Sequence, residues 1–275
     1  MKKIKWFWFV LLFVTINATA QTEADRYVQS ILKQEAYILN GTRLAKEYKP
    51  AYLKYNFSLT WMDDIDNEWV LGFIGDDYER LRIKLLSVTK DVKNPGTYFV
   101  RGKSKVKNNI CDFKGTFQII HIRLYNEKDR FEKEFYKDST YKNGIVIAKY
   151  KLSENATQKH TGVLEGILAS NWYIPKKKNK IYLDDLMNGA DGYQNNQFVG
   201  VWKSHNKKEV KRCNWGDSRI PHVDDCSVCS GDGEFTPNRN YLSNGWQSFI
   251  DAKEARNAID DEDIKTKSKI KEWWE

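Results

Sequence analysis

The chain has 275 residues, with 45 Lys and Arg against 37 Asp and Glu for a formal charge of +8, and 14% aromatic residues. A leader holding Lys2, Lys3 and Lys5 carries three of those charges, leaving +5 over about 255 mature residues. A net charge that modest favours an ordinary solvated surface over an anionic partner such as a polysaccharide, a lipid head group or nucleic acid, and the length suits one large β domain or two smaller ones.

The first twenty residues join a basic start (Lys2, Lys3, Lys5) to an apolar run from Trp6 to Val14 and an Ala18-Thr19-Ala20 site before Gln21. That order describes a secretory signal peptide over 1–20. The run is shorter than the roughly 18 to 20 residues of a bilayer span, so the mature chain is expected to hold no transmembrane segment and to be exported to the periplasm or the outside. The first cysteine is Cys111, which leaves no thiol for lipidation at the cleavage point. Export also argues against a nucleic-acid partner.

Residues 21–50 read as a helical segment. Tyr27, Val28, Ile31 and Leu32 lie on one helical face, Asn40-Gly41 supplies a stop, and a second turn covers Thr42 to Tyr48 before Pro50. From residue 51 the period becomes two: Leu53, Tyr55, Phe57, Leu59 and Trp61 alternate with polar residues, which predicts a half-buried strand. Turns at Met62 to Asn67, Gly75-Asp76-Asp77 and Asn94-Pro95-Gly96 separate further strands. Tyr98 to Val106 and Ile110 to Tyr125 form a hairpin across Lys107-Asn108-Asn109.

Within the second strand of that hairpin the apolar phase slips at Ile119-Ile120, the mark of a β-bulge or a strongly coiled strand. Strands follow at Ile145 to Leu152, Gly162 to Ile174, Lys180 to Leu183, Gln197 to Ser204 and Glu209 to Trp215. An apolar-x-Gly-x-apolar unit recurs around Gly115, Gly166 and Gly200, as in sheets that curl on themselves. The expectation is an all-β fold: a curved antiparallel meander, barrel-like or a bent sandwich, over 51–236. A C-terminal helical segment over 237–275 flanks it, built on Trp246, Phe249, Ile250 and Ile259, with Trp273 and Trp274 in its continuation.

Cys213, Cys226 and Cys229 form C-x12-C-x2-C with His222 inside it, and Cys111 stands apart. An oxidising compartment favours structural disulfides among these four cysteines. Free thiols, or zinc held by Cys213, His222, Cys226 and Cys229, are the alternatives. Cys226-Ser-Val-Cys229 lacks the βαβ frame of a redox motif. Asp224, Asp225, Asp232 and Glu234, and separately Asp184, Asp185 and Asp191, read as turn formers over calcium ligands. Glu165, His121 and His160 are the residues a carbohydrate-active enzyme would draw on. Nucleophile elbows, P-loops and dinucleotide fingerprints are absent, and no cofactor is expected.

Asn196 to Trp202, with its Gly200-x-Trp202, resembles the Gly-x-Trp strand of lipocalin and avidin-type barrels, although here it falls late in the chain. The stretches Gly102 to Gly115, Ala190 to Trp202, and Cys213 to Pro221 with Gly233 to Phe235 resemble a group of uncharacterised exported proteins of Gram-negative bacteria. That resemblance implies export and a single domain. The leading expectation is a non-catalytic protein that binds a small ligand, a glycan or a protein partner, with Trp202, Trp215, Asp217 and Arg219 as contacts. A carbohydrate-active enzyme or glycan-binding protein is the runner-up, and an inhibitor or immunity-type factor the third reading.

Overall fold

The computed structural model describes residues 22–39, 42–62, 67–126, 142–175, 178–190, 192–223, 235–257 and 272–275. The expected signal peptide lies outside them, as do Asn40-Gly41, Cys226, Cys229, Asp191 and the acidic cluster from Asp224 to Glu234. Among the described residues ten strands make one antiparallel sheet: β1 (Leu44–Glu47), β2 (Val70–Ile74), β3 (Glu79–Lys90), β4 (Thr97–Val106), β5 (Asn109–Tyr125), β6 (Lys142–Glu154), β7 (Gly162–Ile174), β8 (Tyr182–Leu183), β9 (Asn195–Ser204) and β10 (Val210–Asp217). The order β5-β4-β3-β2-β10-β9-β7-β6 returns to its start because β6 also pairs β5, giving a curved, ring-like sheet. The expected curved antiparallel all-β body is therefore present. No described helix is long and apolar enough to cross a membrane.

β5 shows how the sequence sets the curvature. Ile119 pairs Ala148 and His121 pairs Ile147, so Ile120 is an unpaired extra residue at the position where the apolar phase slips. Beyond the bulge β5 leaves β4 and takes β1 as its neighbour, with Leu44 opposite Tyr125. The glycine units have a different cause. Tyr150, Gly166, Gly200 and Cys213 stand directly opposite one another across β6, β7, β9 and β10, all on the inner face. A Cβ added at Gly166 or Gly200 would come within 2.9 Å or 2.3 Å of the Tyr150 hydroxyl. The two glycines are the floor on which that ring lies.

Aromatic residues fill the interior: Trp172, Trp215, Tyr98, Phe57 and Phe117 are fully buried, and Trp215 stacks on Phe198 at 4.4 Å between centroids. Two short helices plug one end, α2 (Lys49–Tyr52) and α3 (Ser58–Trp61). This overturns the expected strand over 51–61. Pro50 sits in the first turn of α2, and the Asn56 side chain accepts from the Ser58 amide at 3.0 Å, which breaks the extended path. Phe57 and Trp61 face inward four residues apart, whereas Leu59 is 44% exposed. Trp61 meets Tyr98 edge-on at 4.8 Å and donates to Ser170 Oγ at 3.1 Å. Lys90 of β3 donates to the carbonyls of Leu53 and Tyr55, hitching the plug to the wall. The expected helical turn over 42–48 is likewise replaced, by β1, because the open side of β5 needs a partner.

Two more helices cover part of the outer wall. α1 (Glu23–Leu32) opens with a capping box in which Thr22 Oγ1 accepts from the Asp25 amide at 3.1 Å while Asp25 accepts from the Thr22 amide. Its Tyr27, Val28 and Ile31 bury Ile145, Ile147, Ile167 and Val199. Glu23 fastens it, taking both Arg212 Nε and Nη2 at 2.7 Å and Asn214 at 3.2 Å. Burial pushes the Glu23 carboxyl up, but hydrogen bonds from His222 and Arg212 outweigh it and hold the group at about 2. α4 (Gln247–Asn257) lays Phe249, with Trp246 just before it, over Leu71 and Phe73. Trp246 Nε1 donates to the Tyr78 carbonyl at 2.7 Å.

Candidate functional site

The ring is open at the end away from the plug, where four tight connections meet. They are the turn after β2, the Lys107-Asn108 hairpin, the β6–β7 turn and the β9–β10 turn. Lys107 and His160 both take positive φ, 51° and 53°, to keep their turns short. Asn155 Oδ1 accepts from the Thr157 amide and hydroxyl, and Ser204 Oγ from the amides of Asn206 and Lys207, so side chains close both loops. Between them lies a cleft of about 580 Å³.

Glu154, the last residue of β6, sits on the cleft floor and is 6% exposed. Its Oε1 accepts from Ser104 Oγ of β4 at 2.5 Å, and its Oε2 from the Gly162 amide of β7 at 2.8 Å and Trp202 Nε1 of β9 at 2.9 Å. A carboxylate taken from water needs such donors, and these three come from three strands. Glu154 is thus a brace across the mouth, with a fourth acceptor position unused by any described residue. Beside it Thr161 is 2% exposed and its hydroxyl has no partner among the described residues. At the rim Glu79 pairs Lys107 at 2.6 Å and Glu209 pairs Lys211 at 3.3 Å, so charge is nearly balanced.

The four expected contact residues do not assemble. Trp202 lines this cleft, whereas Trp215 and Asp217 line a smaller one of about 280 Å³ beside the plug, with Trp61, Asn67 and Asn196. Asn196 bridges there, donating to Asp217 Oδ2 at 2.7 Å and accepting from Ser170 at 2.7 Å. Arg219 follows β10, its carbonyl bound by Gln197. His121 pairs Glu47 at 2.7 Å, Glu165 pairs Lys203, and His160 stands at the cleft rim, so the residues expected of a carbohydrate-active enzyme lie in three places.

Of the four cysteines, Cys111 and Cys213 are described; both are free and buried, and no disulfide occurs among the described residues. Cys213 points into the ring beside Tyr150, while His222 packs edge-on against Tyr27 on the outside, which separates two members of the alternative zinc set. Among the described residues no group of three His, Cys, Asp or Glu is arranged to hold a metal ion. Burial pushes the Cys111 thiol up to about 11 and Cys213 further in the same direction, which suppresses the reactive thiolate.

Glu154, Ser104 and Thr161 escaped the sequence reading, though a signal was there. In β4 the inward series is Tyr98, Val100, Gly102, Ser104, and in β6 it is Tyr150, Leu152, Glu154. A polar residue in the inward phase of an alternating strand demands a partner, and these two are each other's. Comparison with protein-family models, with curated proteins and with solved structures finds no match to this chain.

Proposed function

We propose that this is an exported, non-catalytic binding protein whose open-end cleft takes a neutral, hydroxyl-bearing ligand with one apolar face, such as a sugar residue. The unpartnered Thr161 hydroxyl, just beneath the cleft surface, carries the reading, since a buried polar group without a partner costs about 1–3 kcal/mol unless a ligand that parts the wall there supplies one. The Trp202 ring offers an apolar surface, the unused acceptor position of Glu154 offers a site for a ligand hydroxyl, and the paired rim charges suit an uncharged molecule. Export rests on the basic, apolar and Ala18-Thr19-Ala20 order at the start of the chain. Against hydrolysis, Glu154 is engaged by three donors and the rim carboxylates by lysines, which leaves no free pair among the described residues of the cleft to act as acid and base.

Titration calorimetry of the mature protein against neutral mono- and oligosaccharides tests this. Thr161→Val, which keeps the shape and removes the hydroxyl, is expected to weaken binding about five- to tenfold without lowering stability. Absence of binding to any neutral sugar, or equal affinity in the variant, refutes the assignment.

A further inference from the structure

The modest net charge conceals an uneven distribution. On the outer face of β4 to β6, Arg101 stands directly opposite Lys114, and the next row runs Thr89, Phe99, Thr116, Lys151 across β3 to β6. One row further, Gln118 faces Lys149. Arg101, Lys114, Lys149 and Lys151 are all exposed, and among the described residues none has a carboxylate within 4.0 Å. Several cations elsewhere on the wall are paired, Lys203 with Glu165, Lys211 with Glu209, Lys107 with Glu79 and Arg212 with Glu23, while Lys46 and Lys142 share the lack of a carboxylate among the described residues; what sets the band apart is that its four cations lie side by side. Directly opposed like charges weaken a sheet, so Arg101 and Lys114 do not serve the fold.

What lies among the cations narrows the partner. A shallow groove of about 560 Å³ holds Ser87, Thr89 and Thr116, the two cations Arg101 and Lys114, and Phe99, which is 54% exposed. Hydroxyls, one flat apolar ring and cations are the complements of hydroxyl groups, the C–H face of a sugar ring and carboxylates. The cations run diagonally from β4 to β6, which suits an extended chain. Neighbouring strands lie about 4.8 Å apart and alternate residues about 6.6 Å apart, so the band has the spacing of a linear array.

We infer that the outer face of β4 to β6 binds a linear acidic polysaccharide, its carboxylates on Arg101, Lys114, Lys151 and Lys149 and one sugar ring on Phe99. This surface is separate from the open-end cleft, and neither assignment depends on the other.

The test uses the mature chain and size-defined polygalacturonate oligomers, with binding followed by calorimetry at two salt concentrations. Replacing Arg101, Lys114, Lys149 and Lys151 together by Gln is expected to weaken binding about thirtyfold, while Lys33→Gln, Lys180→Gln, Lys208→Gln and Arg239→Gln combined, four exposed cations outside the band and the cleft, change it less than about threefold. Phe99→Ser is expected to weaken binding about fivefold and to leave its salt dependence unchanged, as loss of a ring contact does. Equal losses in the two sets of four would mean unspecific attraction and would overturn the assignment. So would vesicles containing phosphatidylglycerol, or duplex DNA, binding more tightly than the oligomers. All substituted side chains are exposed or half-exposed, and a thermal midpoint at or above that of the wild type shows that each variant is folded.

Discussion

The outer wall of the ring is finished in two ways. Behind β2, β6, β7 and β9 it is covered: α1 buries Ile145, Ile147, Ile167 and Val199, and the α4 region buries Leu71 and Phe73. Over β4, β5 and the second half of β6 it is bare, with Phe99, Arg101, Lys114, Lys149 and Lys151 facing out. Strands of one sheet, all lined inside by the same aromatic core, therefore do two jobs on their outer faces. The covered half gains stability from apolar burial on both sides. The bare half keeps a like-charged pair that stability alone would remove.

The sharpest way to test that contrast is to uncover the covered half. Trp246→Ala removes a fully buried ring from above Leu71 and Phe73 and leaves the Tyr78 carbonyl without its donor. A loss of about 3–5 kcal/mol is expected in urea unfolding; a loss near zero would mean that this cover contributes nothing.

Acid should act next, and on α1. The Glu23 carboxyl titrates at about 2 in the folded chain against an ordinary 4.5. A depressed folded value means the clamp contributes fully above about 4.5 and is lost as pH falls towards 2. Wild-type stability should drop across that window by on the order of 2 kcal/mol, allowing for solvent screening of a partly exposed group. Glu23→Gln should be less stable at neutral pH and lack that limb of the profile. An unchanged acid profile would show that the clamp does not hold the helix.

The smallest effect belongs to the bare half and has the opposite sign. Lys114→Glu places a carboxylate opposite Arg101 and is expected to raise stability by about 0.2–1 kcal/mol, read as a higher thermal midpoint. A lower midpoint would deny that the opposed cations strain the sheet.

The two halves also differ in how plainly the sequence announces them. Bare β4 alternates without fault, Tyr98, Val100 and Gly102 inward and Phe99, Arg101 and Lys103 outward, and is unmistakable as a strand. Covered β6 runs Ile145-Val146-Ile147-Ala148 without alternation, and only the covering helix explains why. The same rule misleads at 51–61, where alternating apolar residues belong to a plug whose path is set by Pro50 and Asn56 and whose rings are fixed by the far wall. The bulge at Ile120 was legible because a phase slip is local. Of the site, Trp202 alone was read: Ser104, Glu154 and Thr161 join it only when four strands of the ring are in place. Trp202 and Trp215 look alike in sequence, and ring closure sends them to opposite clefts.

The seam of the ring has a consequence in time. Every pairing around the circle joins near neighbours in the chain except β2 with β10, where Ile74 meets Cys213 and Val70 meets Asp217. Contacts so distant in sequence form late, because the chain between them must be ordered before the pairing is rewarded. Until they form, Val70-Leu71-Gly72-Phe73-Ile74 is an unsealed edge, apolar on both faces, of the kind that recruits other strands. Pairing with β10 is what removes that edge, so the seam protects the chain against association with its own copies as well as closing the ring.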